Sequence, residues 1–380
     1  MEEKSPAISV VIPCFRAGTL LSEAIDSVLA QTETDWELIL VDNNASDETK
    51  EVIGRYVERF PEKIRSVHEP DPGVCSARNR GIHEALGRYI ALLDDDDLMY
   101  PNRLLVQKKA MDSRNDAVLC YGNIDKVSFD IRTTIEHEAM PSYFSFFKAS
   151  SHLLQEKYNL LFPDPLPSSI MFKKVVAQQA GGFDRHFNPC FLEETEFYFR
   201  LFQFGSFIKL DDTVTRFRMP SEEFLKKKRI EVLKKYRLLL NQDYFYSKIR
   251  KFLKERNLLE NPYVKNDLRR MKARWLREAS FDFLAIPGGE RYARILLQRA
   301  IREAPMDLKS FKHWMRSFAP LSERMRRYRS QQVYEEAIPR EITEEFLRSL
   351  FNGDHACSYC RTENEGSDSR TNVLQGQLLP

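Results

Sequence analysis

Between Ile8 and Gly122 the chain alternates short β-branched or apolar runs with longer stretches of helical period, a pattern that few folds accommodate. The runs are ISVVIP (Ile8–Pro13), ELILV (Glu37–Val41), IRSVH (64–68), RYIALL (Arg88–Leu93) and AVLCYG (Ala117–Gly122). Helical stretches lie between them at Leu20–Leu29, Asp47–Phe60, Ser76–Leu86 and Pro101–Ser113. Repeated strand-helix-strand units predict an α/β fold with a mostly parallel sheet flanked by helices. Ligands of such sheets sit beyond the carboxyl ends of the strands. Read in order, those ends are Pro13-Cys14-Phe15, Asp42-Asn43-Asn44, Asp71-Pro72-Gly73 and Asp94 to Asp97, so acidic and amide groups collect on one edge.

Residues 123–165 show no clear period and predict a loop or short helices over the sheet. Strand character returns at Ser168–Lys174, a helix pattern at Val175–Ala180 ends in Gly181-Gly182, and a further helix over Glu193–Phe204 stops at Gly205. FIKL and VTRFRM then close the sheet, and from Ser221 the pattern is helical. We therefore expect an α/β domain over 1–220, a helical C-terminal domain over 221–350 and a disordered tail over 351–380. The formal charge of +2 conceals an asymmetry of −9, +13 and −2 across those three parts. Their partners should differ.

The acidic start lacks the basic and long apolar regions of a secretory signal, and no apolar run reaches membrane-spanning length. Cys14, Cys75, Cys120 and Cys190 are scattered without disulfide-scaffold or zinc spacing. Cys357 and Cys360, near His355, form a single C-x-x-C that reads as two free thiols rather than a metal site. A reducing cytoplasm fits this usage, with or without a peripheral position at the inner face of the plasma membrane.

YIALLDDDDLMYP (Tyr89–Pro101) sets four carboxylates directly after an apolar run. Such charge is tolerable only if solvent screens it or a cation sits in it. One reading is a wet turn with Asp97 as cap of the following helix. The other is a site for Mn²⁺ or Mg²⁺, which takes one or two carboxylates plus substrate phosphates; on an extended segment Asp94 and Asp96 would point the same way and Asp95 elsewhere. The four residues alone leave both open.

With their surroundings, the stretches ISVVIPCFRAGTLLSEAIDSVLAQTETDWELILVDNNASDET, GVCSARNRGIHEALGRYIALLDDDDLMYPNRL, PSSIMFKKVVAQQAGGFDRHF and LEETEFYFRL resemble the family 2 glycosyltransferases, which have a GT-A fold. The resemblance covers roughly Ile8 to Met219. It implies an inverting, metal-dependent transfer of one sugar from a nucleotide-sugar donor, UDP-sugar favoured, to a hydroxyl of a glycan or lipid-linked acceptor in cell-surface polysaccharide synthesis.

Residue by residue, the resemblance implies that Pro13 and Phe15 flank the nucleotide base and that Asp42 hydrogen-bonds it. Asn43 stands where the family usually has a second Asp. Arg78 and Asn79 of SARNRG would lie near the phosphates, Asp94 and Asp96 would be the metal pair with Asp96 the direct ligand, and Asp95 joins the nucleotide-contacting set. The base would come from Glu193-Glu194-Thr195-Glu196. Glu194 takes the usual place of an Asp, which keeps Glu193 a second candidate, and three Glu in a first turn also suit a helix dipole. The Q-x-x-R-W element of processive synthases is absent, since Met271 stands three residues before Arg274.

In the basic part, SFKHWMRSFAPLSERMRRYR could lie on an anionic membrane, or the helices could pack as an ordinary bundle with a basic face. No nucleic-acid reading motif accompanies the charge. The alternative to an enzyme is a catalytically silent relative that binds nucleotide sugars or scaffolds an assembly complex. A dinucleotide-binding dehydrogenase is excluded because PCFRAGTL supplies no G-x-G-x-x-G.

Overall fold

The computed structural model describes residues 5–138, 165–188, 192–219, 228–284, 290–306 and 308–316. The SYFSFF cluster, Cys190, the basic stretch beyond 316, the tail 351–380 and the Cys357 and Cys360 pair lie outside them. Contacts divide the chain into two compact units, one holding the described residues up to 219 and one holding those from 228 onward.

The first unit is built on one nine-stranded sheet. Four strands, β1 (Ile8–Cys14), β2 (Trp36–Asp42), β3 (Ile64–His68) and β4 (Tyr89–Leu92), are parallel in the order β3-β2-β1-β4, with Val11 opposite both Ile39 and Leu92. Helices α1 (Leu20–Leu29), α2 (Asp47–Arg59) and α3 (Val74–Glu84) connect them, as the alternation predicts. Beyond β4 the sheet is mixed. After β5 (Leu98–Met99), α4 (Arg103–Ser113), β6 (Ala117–Val127) and β7 (Thr134–Glu138) comes β8 (Ile170–Lys173), antiparallel to both β4 and β6. The reason is where β8 starts: Ser168 Oγ accepts the Asp94 amide at 3.0 Å, so β8 begins where β4 ends and must run the other way. FIKL and VTRFRM belong to one long strand, β9 (Ser206–Arg218), parallel to β6. Helices α5 (Lys174–Gln179) and α6 (Glu193–Leu201) precede it.

Burial follows the pleat. Ile8, Val10 and Ile12 face Leu21, Ile25, Val28, Val52 and Ile53 of α1 and α2. Val11 points the other way, against α3, where Gly81 lets helix and strand close up: a Cβ at Gly81 would stand 2.2 Å from Val11 Cγ1. Beneath the end of β4, the fully buried Arg103 donates to the carbonyls of Leu92 (2.8 Å) and Ile170 (3.0 Å), tying β4 to β8.

The second unit is helical: α7 (Lys228–Glu255), α8 (Pro262–Leu284), α9 (Glu290–Glu303) and α10 (Leu308–Arg316). Ile249, Leu253, Leu268, Met271, Leu296 and Leu297 are buried in it, and so is Trp275, which thereby leaves the set of aromatics open to a membrane. Among the described residues no helix is long and apolar enough to cross a membrane.

Because the seat of α3 on β1 has no room for a methyl group, Gly81→Ala is expected to cost about 1–3 kcal/mol by overpacking. A urea midpoint equal to the wild type would show that the helix can withdraw freely.

Candidate active site

The parallel register places four strand ends on one edge, and the side chains there are fixed by partners distant in sequence. Asp42 closes β2: its Oδ1 accepts the Ala45 amide at 2.9 Å, and its Oδ2 lies 3.5 Å from His68 Nδ1. Asn43 donates through Nδ2 to the carbonyls of Glu69 (2.9 Å) and Asp71 (2.7 Å) and accepts the Gly73 amide at Oδ1 (2.8 Å). A carboxylate could not make the first two bonds. The amide stapling of residues 69–73 accounts for an Asn at a position where the family resemblance leads one to expect Asp.

The acidic run is a turn rather than an extended segment, closed by the Asp97 amide donating to the Asp94 carbonyl at 3.2 Å. The alternation argument for Asp94 and Asp96 therefore does not apply, and each carboxylate has its own surroundings. Asp94, with its side chain 34% exposed, accepts Arg78 Nη2 at Oδ1 (3.0 Å). Asp95 turns to the first strand end, where its Oδ2 accepts the Phe15 amide at 2.9 Å; it positions the Pro13–Phe15 segment. Asp97 is buried, takes the Arg218 amide at 2.9 Å, and caps no helix: α4 begins after Asn102.

Burial raises Asp95 to about 7 against the pull of the Phe15 hydrogen bond, and the charges of Asp96 and Asp94 add to the rise. Burial, then the Asp94 charge, lifts Asp96 to about 6. Two carboxylates under mutual repulsion, all oxygen and at least one open to solvent, fit a hard divalent cation that completes its shell with phosphate and water. Among the described residues no group of three or more His, Cys, Asp or Glu stands ready for a metal, so a cation here would rest on the Asp94 and Asp96 pair.

Arg78 and Asn79 both have partners within the protein. The Arg78 side chain is 3% exposed and bridges Asp94 and Glu193, with Nη1 3.3 Å from Glu193 Oε1. Asn79 bonds the backbone of Phe183 twice, donating to its carbonyl (2.8 Å) and accepting its amide (2.7 Å). On α6, Glu196 is spent on Arg200, Nη2 to Oε2 at 2.6 Å. Glu193 is buried against Arg78, and burial followed by the Glu194 charge pushes its carboxyl well up. Glu194, next to it and only partly buried, feels the Arg78 charge and shares a hydrogen bond with Glu193, but among the described residues it is not in the ion pairs that Arg78 and Arg200 make with Glu193 and Glu196.

Arg218 was not legible as a site residue. From the end of β9 its Nε reaches the Asp96 carbonyl (2.7 Å) and its Nη2 reaches Glu23 Oε2 (2.8 Å), clamping the acidic turn. The only local signal was a charged residue ending a strand that otherwise reads as buried. Asn188 was also missed; it accepts the Cys75 amide at 2.8 Å and seals the start of α3.

Residues 9–179 match the profile of Glycosyl transferase family 2. This stretch is a family 2 glycosyltransferase domain. With it comes the GT-A fold that the resemblance implies, on an α/β sheet of the kind that the strand pattern predicts. Among similar proteins, an uncharacterized glycosyltransferase of Rickettsia felis is 37% identical over 108 residues, 28% of this chain and 18% of the relative. The uncharacterized glycosyltransferase YibD of Escherichia coli is 36% identical over 101 residues, 27% of this chain and 29% of YibD. TuaG of Bacillus subtilis, whose name provisionally makes it a teichuronic acid biosynthesis glycosyltransferase, is 35% identical over 118 residues, 31% of this chain and 46% of TuaG. The chain thus spans under half the length of these relatives. A crystal structure of S. aureus TarS 1–349 in complex with UDP overlaps 87% of this chain and 98% of TarS 1–349 with a TM-score of 0.45 and 15% identity.

Replacing Asn43 by Asp removes two buried donors and sets a charge against two carbonyls, so Asn43→Asp should lose about 1–3 kcal/mol of stability. Chemical denaturation reads this out, and an unchanged midpoint would mean that the staple contributes nothing.

Proposed function

We propose that this chain transfers one sugar, with inversion, from a nucleotide-sugar donor to a hydroxyl of a glycan or lipid-linked acceptor, in the synthesis of a cell-surface polymer. UDP-sugars are the favoured donors. The observation that carries the reading is the convergence of Asp42 and the Asp94–Asp97 turn, both within the family 2 stretch, with the start of α6, which follows that stretch, at the carboxyl edge of the parallel strands.

Asp42 and the Pro13–Phe15 segment receive the base, the latter held by Asp95. Asp94 and Asp96 would hold Mn²⁺ or Mg²⁺, which when bound supplies positive charge for a leaving diphosphate. Glu194 takes the acceptor proton as the acceptor oxygen bonds to the anomeric carbon and the bond to the diphosphate oxygen breaks on the opposite side. One displacement turns an α-linked donor into a β-glycoside, with no enzyme nucleophile.

The second unit supports an acceptor met at a lipid surface. On α10, Leu308 (78% exposed), Phe311 (49%) and Met315 (53%) project among the exposed Lys309 and Lys312, a combination suited to an anionic bilayer face. Sedimentation with phosphatidylglycerol vesicles should pull down the wild type and not a Leu308→Ser, Phe311→Ser, Met315→Ser variant. Equal sedimentation of the two would remove α10 from the contact.

For the chemistry, calorimetry with UDP and Mn²⁺ should show binding that Asp96→Ala loses. Glu194→Gln should keep that binding and lose about 10²- to 10⁴-fold in kcat, the usual contribution of a general base. Wild-type protein that takes no nucleotide with either cation refutes the proposal; nucleotide binding with no transfer or hydrolysis would make the chain a silent sugar-nucleotide binder.

A further inference from the structure

Arg78 is a buried cation that joins two carboxylates on this edge. Its guanidinium meets Asp94 Oδ1 at 3.0 Å through Nη2 and Glu193 Oε1 at 3.3 Å through Nη1, and its central carbon lies 5.3 Å from the centre of the Phe183 ring. Phe183 in turn stacks on Phe197 of α6 at 4.1 Å. A single side chain of α3 is therefore in contact with the end of β4, with the segment before α6 and with the first residue of α6.

Its own backbone is held on several sides. Gly81 seats α3 on Val11, Asn79 pairs both ways with the Phe183 backbone, and Asn188 accepts the Cys75 amide and donates to Ser76 Oγ at 3.0 Å. A guanidinium is planar and presents its donors in a fixed fork, so two carboxylates bound to its two Nη atoms are held at a set separation. The side chains of Arg78 and Glu193 are 3% and 7% exposed, so their contact is an interior joint.

We propose that Arg78 is a positioning residue that fixes the distance between the donor-side Asp94 and the acceptor-side start of α6, with Glu193 as its anchor, and that it does not contact the nucleotide. This deepens the glycosyltransferase reading and rests on it. The two adjacent glutamates then have different roles, Glu193 holding α6 through Arg78 and Glu194 meeting the acceptor.

The test compares Arg78→Met, Arg78→Lys, Glu193→Gln and Glu194→Gln by UDP calorimetry in Mn²⁺ and by steady-state kinetics on a UDP-sugar. Arg78→Met should hold the UDP Kd and donor KM within about threefold while kcat falls about 10- to 100-fold, the pattern of a lost alignment rather than a lost ligand. Arg78→Lys should fall between, because an ammonium has no fork for two carboxylates. Glu193→Gln keeps an oxygen for Arg78 and should lose less than about tenfold in kcat, well short of Glu194→Gln. A tenfold or larger rise in the UDP Kd of Arg78→Met, with kcat preserved, would make Arg78 a phosphate ligand. Loss in Glu193→Gln equal to that in Glu194→Gln would make Glu193 the base.

Thermal melts guard against variants that fold poorly. Arg78→Met leaves buried carboxylates uncompensated, so adding Glu193→Gln should raise its melting temperature; no rise would deny the joint. Should the wild type bind no nucleotide, the function fails, while this melting comparison still decides the joint.

Discussion

Four carboxylates on one turn at the end of a buried strand draw hydrogen-bond donors from distant segments, and that demand shapes the edge of this sheet. The pairing of β1 with β4 ends at Val11 and Leu92, followed only by the Leu93 amide on the Val11 carbonyl, so the acidic turn lies beyond that ladder. The donors come from the Phe15 amide to Asp95, the Arg78 guanidinium to Asp94, and the Ser168 hydroxyl and Arg218 amide to Asp97, spread over more than half of the first unit's sequence. Charge that would disfavour the fold if left bare becomes the reason that distant segments converge. Compensation is incomplete, since burial, with the neighbouring carboxylates adding to it, still lifts Asp95 and Asp96 above the ordinary carboxylate range.

The strands of the parallel half were legible because residues buried on both faces read as continuous apolar runs, and ISVVIP and ELILV do. The mixed half was not. The direction of β8 depends on the bond between Ser168 and the Asp94 amide, and nothing local to SSIMFKK encodes it. The acidic run was located, but its geometry was misjudged for a similar reason: residue spacing cannot tell an extended segment from a turn closed between Asp97 and Asp94. Arg78 was singled out, yet its partners Asp94 and Glu193 lie 16 and 115 residues away, so pairing was beyond any local reading. Asn43 was noted as a departure; the carbonyls of Glu69 and Asp71 supply its physical cause.

The same economy separates the glutamates of α6. An intrahelical arginine takes Glu196, and an arginine of α3 takes Glu193. Acidic residues at a helix start are favoured by the dipole whatever else they do, so composition alone could not rank them. Their partners do.

The start of α6 also carries backbone strain. Leu192 sits at φ +66, in the left-handed region that costs a non-glycine residue about 1–2 kcal/mol. A large apolar side chain keeps such a conformation only when its surroundings fix it. Here the Glu196 amide bonds the Leu192 carbonyl at 2.9 Å, and the next residue, Glu193, is locked to Arg78. From that start Glu193 Oε1 lies 3.3 Å from Arg78 Nη1, and Glu194 lies beside it. Strain at Leu192 and the buried ion pairs of Arg78 are thus two parts of one arrangement, in which local backbone cost is offset by charges that have nowhere else to go.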